Sequence, residues 1–534
     1  MATLLQQQLA ESLGLDANAT IFEICAAIDA QQEGLDIAAI IASLEVDLEP
    51  IVTAQISQLV NKIAITVSDI TGKPIDQVLI DEILAGIDID GIVDQITAKV
   101  EVSLGILGAC LDLPPPPPPP NNNVYAVWEE EVNPDNIDIF FAGSTNNGQT
   151  FNTLNISNTT PDSSFSPQIT TEGNNVYVVW QEEHPSFTEV FFAASYDNGQ
   201  TFSMPKSLSN SSESSFSPQI SVEGNNVYVV WTVFGSFPNL ETFFVVSNNN
   251  GQTFSMPDNI SKNDGFSADP KISSEGNNVY VVWEDIINNN NVIVFAVSNN
   301  NGQTFSMPKP LSSIAVTSDD SRISSQGNNV YVVWEVPGIG GDVFSTASNN
   351  NGSTFSSPDN LKESAESSVN PQLSTEGNNV YVVWSEAFPG NQEIFFAVSN
   401  NNGQTFSMPL NISNNDENSF LPQISSEGNN VYVVWEDVIL GNNVIFFAVS
   451  NNNGQTFSIP KPLSNSAENS FEPQISSQGN NVYVVWEEET TSTSNIADIF
   501  FASSDNSGKD FSPGHNLSNS TGDSETPQIS SNTS

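Results

Sequence analysis

Asn175-Val176-Tyr177-Val178-Val179-Trp180 returns, nearly unchanged, eight times along this 534-residue chain. The tryptophan that ends each copy falls at Trp128, Trp180, Trp231, Trp283, Trp334, Trp384, Trp435 and Trp486, which accounts for every tryptophan present. A near-constant spacing of about 51 residues marks one supersecondary unit, copied and stacked, because a single unit cannot bury its own apolar face.

Working outward from Trp180, the unit opens at Pro167-Gln168-Ile169, turns at Glu172-Gly173-Asn174-Asn175 and runs through Val176–Trp180. It then continues through Val190-Phe191-Phe192-Ala193-Ala194 to Phe202 and Leu208-Ser209. Four short runs rich in β-branched and aromatic residues, separated by Gly, Asn, Ser and Pro, predict four strands, a to d. Runs b and c are apolar without alternation, so both of their faces need covering. Sheets packed face to face around an axis meet that need, and the expected fold is an eight-bladed β-propeller. The ends of the chain support a closed ring over an open solenoid. The first unit begins at strand b (Val124–Trp128) with no a strand before it, and the last ends on an a strand (Pro527–Ser530) with no b strand after it. Together they complete one blade.

Between strands c and d lies Ser195-Tyr196-Asp197-Asn198-Gly199-Gln200-Thr201-Phe202. This resembles the Asp-box, or bacterial neuraminidase repeat, of sialidase-like propellers, Ser-x-Asp-x-Gly-x-Thr-Trp/Phe, and the resemblance covers all eight units. Only Asp197 keeps the acid. Asn146, Asn249, Asn300, Asn350, Asn401, Asn452 and Asn506 replace it elsewhere, and Asp510 replaces the threonine of the last box. The resemblance implies a rim turn remote from catalysis, and the physical chemistry agrees. Asp and Asn both close turns onto nearby backbone N–H groups, and Gly supplies the positive φ. The alternative is a rim cation site, which Asn would weaken. Sialidases hold the substrate carboxylate with three arginines, a bidentate pairing that lysine cannot supply. This chain has one arginine, Arg322, so sialidase chemistry by that route is excluded.

The chain carries 63 acids against 11 bases, a net charge of −52. Such a field repels nucleic acid and anionic membranes, and neither is an expected partner. It suits solubility, or attraction of divalent cations or a basic surface. Glu129-Glu130-Glu131, Glu182-Glu183, Glu284-Asp285, Glu436-Asp437 and Glu487-Glu488-Glu489 are expected in the b–c connection, on a face shared with the variable d–a connection. Variable loops on a repeat scaffold carry function. Glu284, Asp285, Glu436 and Asp437 are the candidate ligands for weakly bound Ca²⁺, which prefers hard oxygen donors; no cofactor is otherwise expected. Glu129, Glu284, Glu335, Glu436 and Glu487 recur at one position after the tryptophan, as a symmetric decoration would. Acid–base catalysis needs carboxylates in different environments, so that symmetry argues for a non-catalytic protein. His184 and His515 show no metal-ligand spacing. In strand a, the channel-lining position is Gln168, Gln219, Gln372, Gln423, Gln474 and Gln528, but Lys271 and Arg322 in two adjacent units. That basic pair reads either as charge pairing with Asp269, Asp319 and Asp320 or as an anion contact.

Residues 1–113 differ in kind: no tryptophan or tyrosine, one phenylalanine (Phe22), and aliphatic residues at helical spacing such as Leu5, Leu9 and Leu13. Short amphipathic helices forming an anchoring or self-association segment are expected. No run is long enough for a membrane span, and no secretory signal with a cationic start is evident. Pro114–Pro120, the core of a 114–123 linker, forms a polyproline spacer of roughly 22 Å. Cys25 and Cys110, the only cysteines, are open to intrachain pairing, an inter-chain disulfide or the reduced state. The expected function is a non-catalytic, surface-exposed propeller presenting an acidic face to glycans or a protein partner, located outside the cell or on a cell or spore surface. The alternatives are a glycoside hydrolase or lyase using loop-face carboxylates, and a structural subunit of a surface layer or filament.

Overall fold

The computed structural model describes residues 122–533, apart from loop residues 160–161, 210–212, 236–238, 263–264, 339, 363–365, 389 and 491–495. Residues 1–113 (expected to be helical), the polyproline run, Cys25 and Cys110 lie outside the described residues. Thirty-two strands form eight four-stranded antiparallel sheets, so the fold is the eight-bladed propeller that the tryptophan spacing predicts.

Blade 2 shows the plan: strand a is Ser163–Glu172, b is Asn175–Glu183, c is Thr188–Ser195 and d is Lys206–Ser207. Blade 1 is assembled from both ends of the propeller. Its b, c and d strands are Asn122–Asn133, Asn136–Ser144 and Asn152–Asn155, and its innermost strand is Ser524–Thr533. Val124 pairs with Ser531 and Ala126 with Ile529 across the seam. The first strand starts at Asn122, two residues before the expected boundary. Asn122 and Asn123 are buried, and the Asn122 Nδ2 donates to the Gln478 carbonyl of blade 8 at 2.9 Å. Each innermost strand packs against the next, around to the first.

There are eight apolar cores, one between each pair of neighbouring blades. Trp180 of blade 2 packs with Tyr125, Val127 and Phe141 of blade 1, and Trp128 of blade 1 packs with Tyr483 and Phe501 of blade 8. Every tryptophan is at most 2 % exposed. Strand b is therefore apolar on both faces because it is covered on both faces, and the last core closes the ring.

The boxes pin each blade to the one before. The Phe202 ring meets Phe141 of the preceding blade edge-on at 4.8 Å, and six further interfaces repeat the pair. Gly199, at φ +76°, lies so close to Phe141 that an added Cβ would stand 2.5 Å from its Cζ. Both the turn and the approach need glycine there.

Candidate functional site

The repeated acids do not lie in loops. Strand b continues through them, as Asn278–Ile287 in blade 4 and Asn430–Ile439 in blade 7, so Glu284-Asp285 and Glu436-Asp437 are strand residues. All four are buried, and the two pairs stand three blades apart. The expectation of an exposed loop array of hard ligands is corrected by this placement. The physical reason lies in strand a. Each a strand is broken by a bulge whose residue has positive φ, from Ser166 (52°) to Thr526 (52°), followed in seven blades by proline. Proline gives the ladder no N–H, and the bulge turns the preceding N–H out of the sheet. In six blades that N–H is taken by the acid or amide after the tryptophan of the previous blade. Ser166 donates to Glu129 Oε1 at 2.7 Å, Ser217 to Gln181 Oε1 at 3.2 Å and Asp320 to Glu284 Oε1 at 3.0 Å. Asn370 donates to Glu335 at 2.9 Å, Glu472 to Glu436 at 2.9 Å and Thr526 to Glu487 at 2.6 Å. The next-but-one residue serves the indole instead: Trp128, Trp384 and Trp486 donate to Glu130, Glu386 and Glu488 at 2.9 to 3.0 Å. Burial pushes Glu284 and Glu436 up to about 7, Asp437 to about 6 and Glu487 to about 8.

A second ring of polar contacts lines the channel. Two hydroxyl residues follow the isoleucine or leucine of strand a, and the first bonds the second of the next blade. Ser221–Ser274, Ser273–Ser325, Ser374–Ser426, Ser425–Ser477 and Ser476–Ser531 are 2.7 Å apart, Ser324–Thr375 2.9 Å and Ser530–Thr171 3.1 Å. The eighth link, from Thr170, meets Val222 and is not made. The repeated Ser/Thr pair carried this signal in the sequence. In the same channel Arg322 is held by Asp320 at 2.5 Å and donates through Nε to Gln372 Oε1 at 3.2 Å. Burial and the Arg322 charge press the Lys271 ammonium downward, against the pull of Asp269, Asp320 and Glu284.

In the boxes, Ser195 Oγ donates to Asp197 Oδ1 at 2.7 Å, and Asp197 accepts from the Thr201 N–H at 2.9 Å and the Thr201 hydroxyl at 2.6 Å. With Asn the last bond reverses: Asn249, Asn300, Asn401 and Asn452 donate through Nδ2 to the threonine Oγ1 at 2.9 to 3.0 Å. Threonine is donor to one and acceptor to the other, so both residues close the same turn.

Two places on the loop end break the eightfold pattern. One is an open cleft of about 410 Å³ at the closing blade, lined by Glu129, Glu131, Asp135, Asp523 and Glu525 together with Pro134, Asn136, Ile137 and Ser163. Asn136 is 3 % exposed, and neither its Oδ1 nor its Nδ2 has a hydrogen-bond partner. Glu525 is pushed up by desolvation and by the neighbouring charges of Asp523, Glu472 and Glu131. The other is a cluster in blade 2 around His184, whose Nδ1 is 2.9 Å from Asp162 Oδ2 and whose Nε2 is 3.2 Å from Glu189 Oε2 and 4.0 Å from Glu182 Oε1. Burial would lower the imidazole, but Asp162, Glu182 and Glu189 override it and raise it. Sequence spacing missed this group because Asp162 enters from the d–a connection. His515 lies in a different strand, the outermost strand of blade 8.

No protein-family profile matches the sequence, and no curated protein matches it. Solved structures do. The chain is similar to a PL25 ulvan lyase (11 % identity, 62 % of this chain and 90 % of that one, TM-score 0.43). It is also similar to a phage phi92 endosialidase (12 %, 60 % and 61 %, TM-score 0.35) and to a Trypanosoma rangeli sialidase (11 %, 67 % and 55 %, TM-score 0.35). These neighbours are enzymes, contrary to the expectation of a non-catalytic chain. At such identities the likeness concerns the fold and names no reaction. The chain is a β-propeller similar in fold to sialidase, endosialidase and ulvan lyase propellers.

Proposed function

We propose that the propeller is a carbohydrate-active enzyme, a glycoside hydrolase acting on a neutral or amino-bearing glycan in the cleft of the closing blade. The observation that carries this reading is the cleft itself: a concavity within the size range of small-ligand sites, lined by five carboxylates in unequal surroundings. Glycoside hydrolysis needs one carboxyl that stays protonated to donate to the leaving oxygen and a second, ionised one to act as nucleophile or base. Glu525, raised by desolvation and by its acidic neighbours, suits the first role. Glu131 or Asp523 suits the second.

Charge argues for the hydrolase over the lyase. A lyase acting on a uronan must neutralise the substrate carboxylate, and no basic side chain lines the cleft. A chain of net charge −52 also repels a polyanion. Display at a surface and self-association through residues 1–113 are further parts of the proposal, the second supported by that segment's aliphatic sequence without aromatic anchors. Light scattering on the isolated segment tests it, and a clean monomer at high micromolar concentration rejects it.

The test of the activity is release of reducing ends by the full chain from a panel of neutral, amino-bearing and uronate polysaccharides, with Glu525→Gln beside it. Turnover of a neutral or amino glycan, abolished by the substitution while the melting temperature holds, supports the hydrolase. Turnover of uronans alone, or turnover indifferent to the substitution, rejects it.

A further inference from the structure

We propose that Asp162, Glu182 and His184 form a binding site for one divalent transition-metal ion, Zn²⁺ or its equivalent, on the loop end of blade 2. One ligand atom from each residue falls within 4.8 Å of the others, and they are the one such three-residue group among the described residues. The chemistry of the set selects the ion. Imidazole nitrogen with two carboxylate oxygens suits Zn²⁺ and neighbouring first-row dications, whereas Ca²⁺ and Mg²⁺ favour oxygen alone.

An independent observation points to a missing partner. Glutamate stands two residues after the tryptophan in four blades. Glu130, Glu386 and Glu488 each accept the indole N–H of their own strand at 2.9 to 3.0 Å. At Glu182, burial raises the carboxyl and the nearby Trp180 indole lowers it, but no bond forms at hydrogen-bond distance. Trp180 Nε1 and Glu182 Oε2 are both buried without a partner, and Glu182 is 5 % exposed. Its other oxygen faces His184 at 4.0 Å. A buried carboxylate oxygen without a partner is costly, and the three blades with a paired glutamate avoid that cost through the indole. A carboxylate that turns, or binds through both oxygens, would satisfy Oε2 on the ion.

Glu189 belongs to the outer layer of the same site. It lies 3.2 Å from His184 Nε2 and accepts the Ser207 hydroxyl at 3.1 Å, so it can orient the ring while Nδ1, now facing Asp162 at 2.9 Å, turns to the ion. Carboxylates beyond the ligands commonly fix a ligating histidine in this way. Binding displaces the imidazole proton on the ligating nitrogen, so proton release accompanies it. The strand ends of blade 2 hold three of the four residues in place, because Glu182 is the penultimate residue of strand b, Glu189 sits in strand c, and Asp162 immediately precedes strand a.

The experiment uses the full chain, stripped with a chelator and titrated with Zn²⁺ and, separately, Co²⁺ in about 0.15 M salt, where loosely condensed counterions are screened. One saturable Zn²⁺ equivalent is expected. Co²⁺ should develop the intensified, shifted d–d bands of four- or five-coordinate ligation, whereas ions in a counterion atmosphere keep the weak spectrum of the aqua ion. His184→Ala and Asp162→Asn should each weaken Zn²⁺ binding by tenfold or more, while His515→Ala leaves it unchanged. Circular dichroism confirms that each variant is folded. Heat that disappears with added salt, a Co²⁺ spectrum unchanged from the aqua ion, or equal affinity in His184→Ala would overturn the site and leave His184 a cation held between carboxylates. The glycosidase reading does not depend on this result, since Glu525 and its neighbours lie outside the metal set.

Discussion

Replacing Glu436 by glutamine should stabilise the protein at pH 8 and leave it nearly unchanged at pH 5. Glu436 is 2 % exposed, and its carboxyl is pushed from 4.5 to about 7, chiefly by burial. A carboxyl raised in the folded state holds its proton there more tightly than in the unfolded chain. Its contribution is fully present below the unfolded value near 4.5 and is lost as pH rises through about 7. At pH 8 the fold therefore carries an ionised group in a dry site. At about 1.36 kcal/mol per pKa unit, the penalty is on the order of 3 kcal/mol. Glutamine removes it and keeps an oxygen for the Glu472 N–H, as Gln181 already does for Ser217. With an unfolding entropy near 2.1 cal/mol/K per residue and roughly 400 residues, about 3 kcal/mol corresponds to a rise of about 3.6 °C in Tm. Calorimetry of wild type and Glu436→Gln at pH 5 and pH 8 reads the difference directly. A gain of equal size at both values, or a loss at pH 8, would refute the assignment of the shift to burial.

The same logic applies to the wild-type chain. Because Glu284, Glu436, Asp437 and Glu487 all shift upward, Tm should rise as pH falls from 8 toward 5, the reverse of ordinary acid destabilisation; a monotonic fall in calorimetry contradicts it. Gly508→Ala should cost more than Gly173→Ala by at least about 1 kcal/mol in urea unfolding. Both glycines have positive φ, but only at Gly508 would the new Cβ stand 2.5 Å from a ring, that of Phe447. Asp197→Asn should change stability by less than about 0.5 kcal/mol, since other boxes close the same turn with asparagine; a large loss would give that acid a role beyond the turn. Deleting residues 524–534 should lower Tm by many degrees, as it opens the seam strand and its last core, and an unchanged Tm would contradict closure.

The repeat made the fold readable because each blade restates the same instruction. Asn-Val-Tyr-Val-Val-Trp is apolar on both faces, the box supplies its glycine and phenylalanine, and the unmatched ends announce a shared blade. What the sequence hid were contacts between blades. Glu284 and Glu436 follow an apolar run and look like the start of a loop. Their partner is an N–H of a bulge in the following blade, 36 residues on in each case. Pro473, after the Glu472 bulge, was visible as a strand opener, but neither the bulge nor the freed N–H can be read from it, and after Asp320 there is no proline at all. The cleft joins Glu129 to Glu525 through closure, and the His184 cluster draws Asp162 across a connection, so neither has a local spacing.

Symmetry gives a physical criterion for where function can sit on this scaffold. Polar groups repeated around the ring mostly meet the same neighbour from blade to blade. The clamp closes in six blades, the hydroxyl link in seven and the indole–glutamate bond in three, and the boxes consume their own donors and acceptors in the same way. Groups so paired are committed to holding the blades. A substrate or ion needs uncommitted valence at an accessible place, and departures from the repeat supply it there. Glu182 leaves its indole unpaired, Asn136 is buried with both amide atoms unmatched, and Lys271 and Arg322 replace glutamine in the channel. The first two lie at the loop ends of blades 2 and 1, and Ser163 of the cleft wall directly follows Asp162 of the histidine cluster. Buried polar atoms without a partner occur in other blades too, as at the indoles of Trp231, Trp283 and Trp435 and at Asp437 Oδ1. Blades 1 and 2 are where such atoms stand beside an open cleft or a histidine, which is why the catalytic and metal proposals fall there.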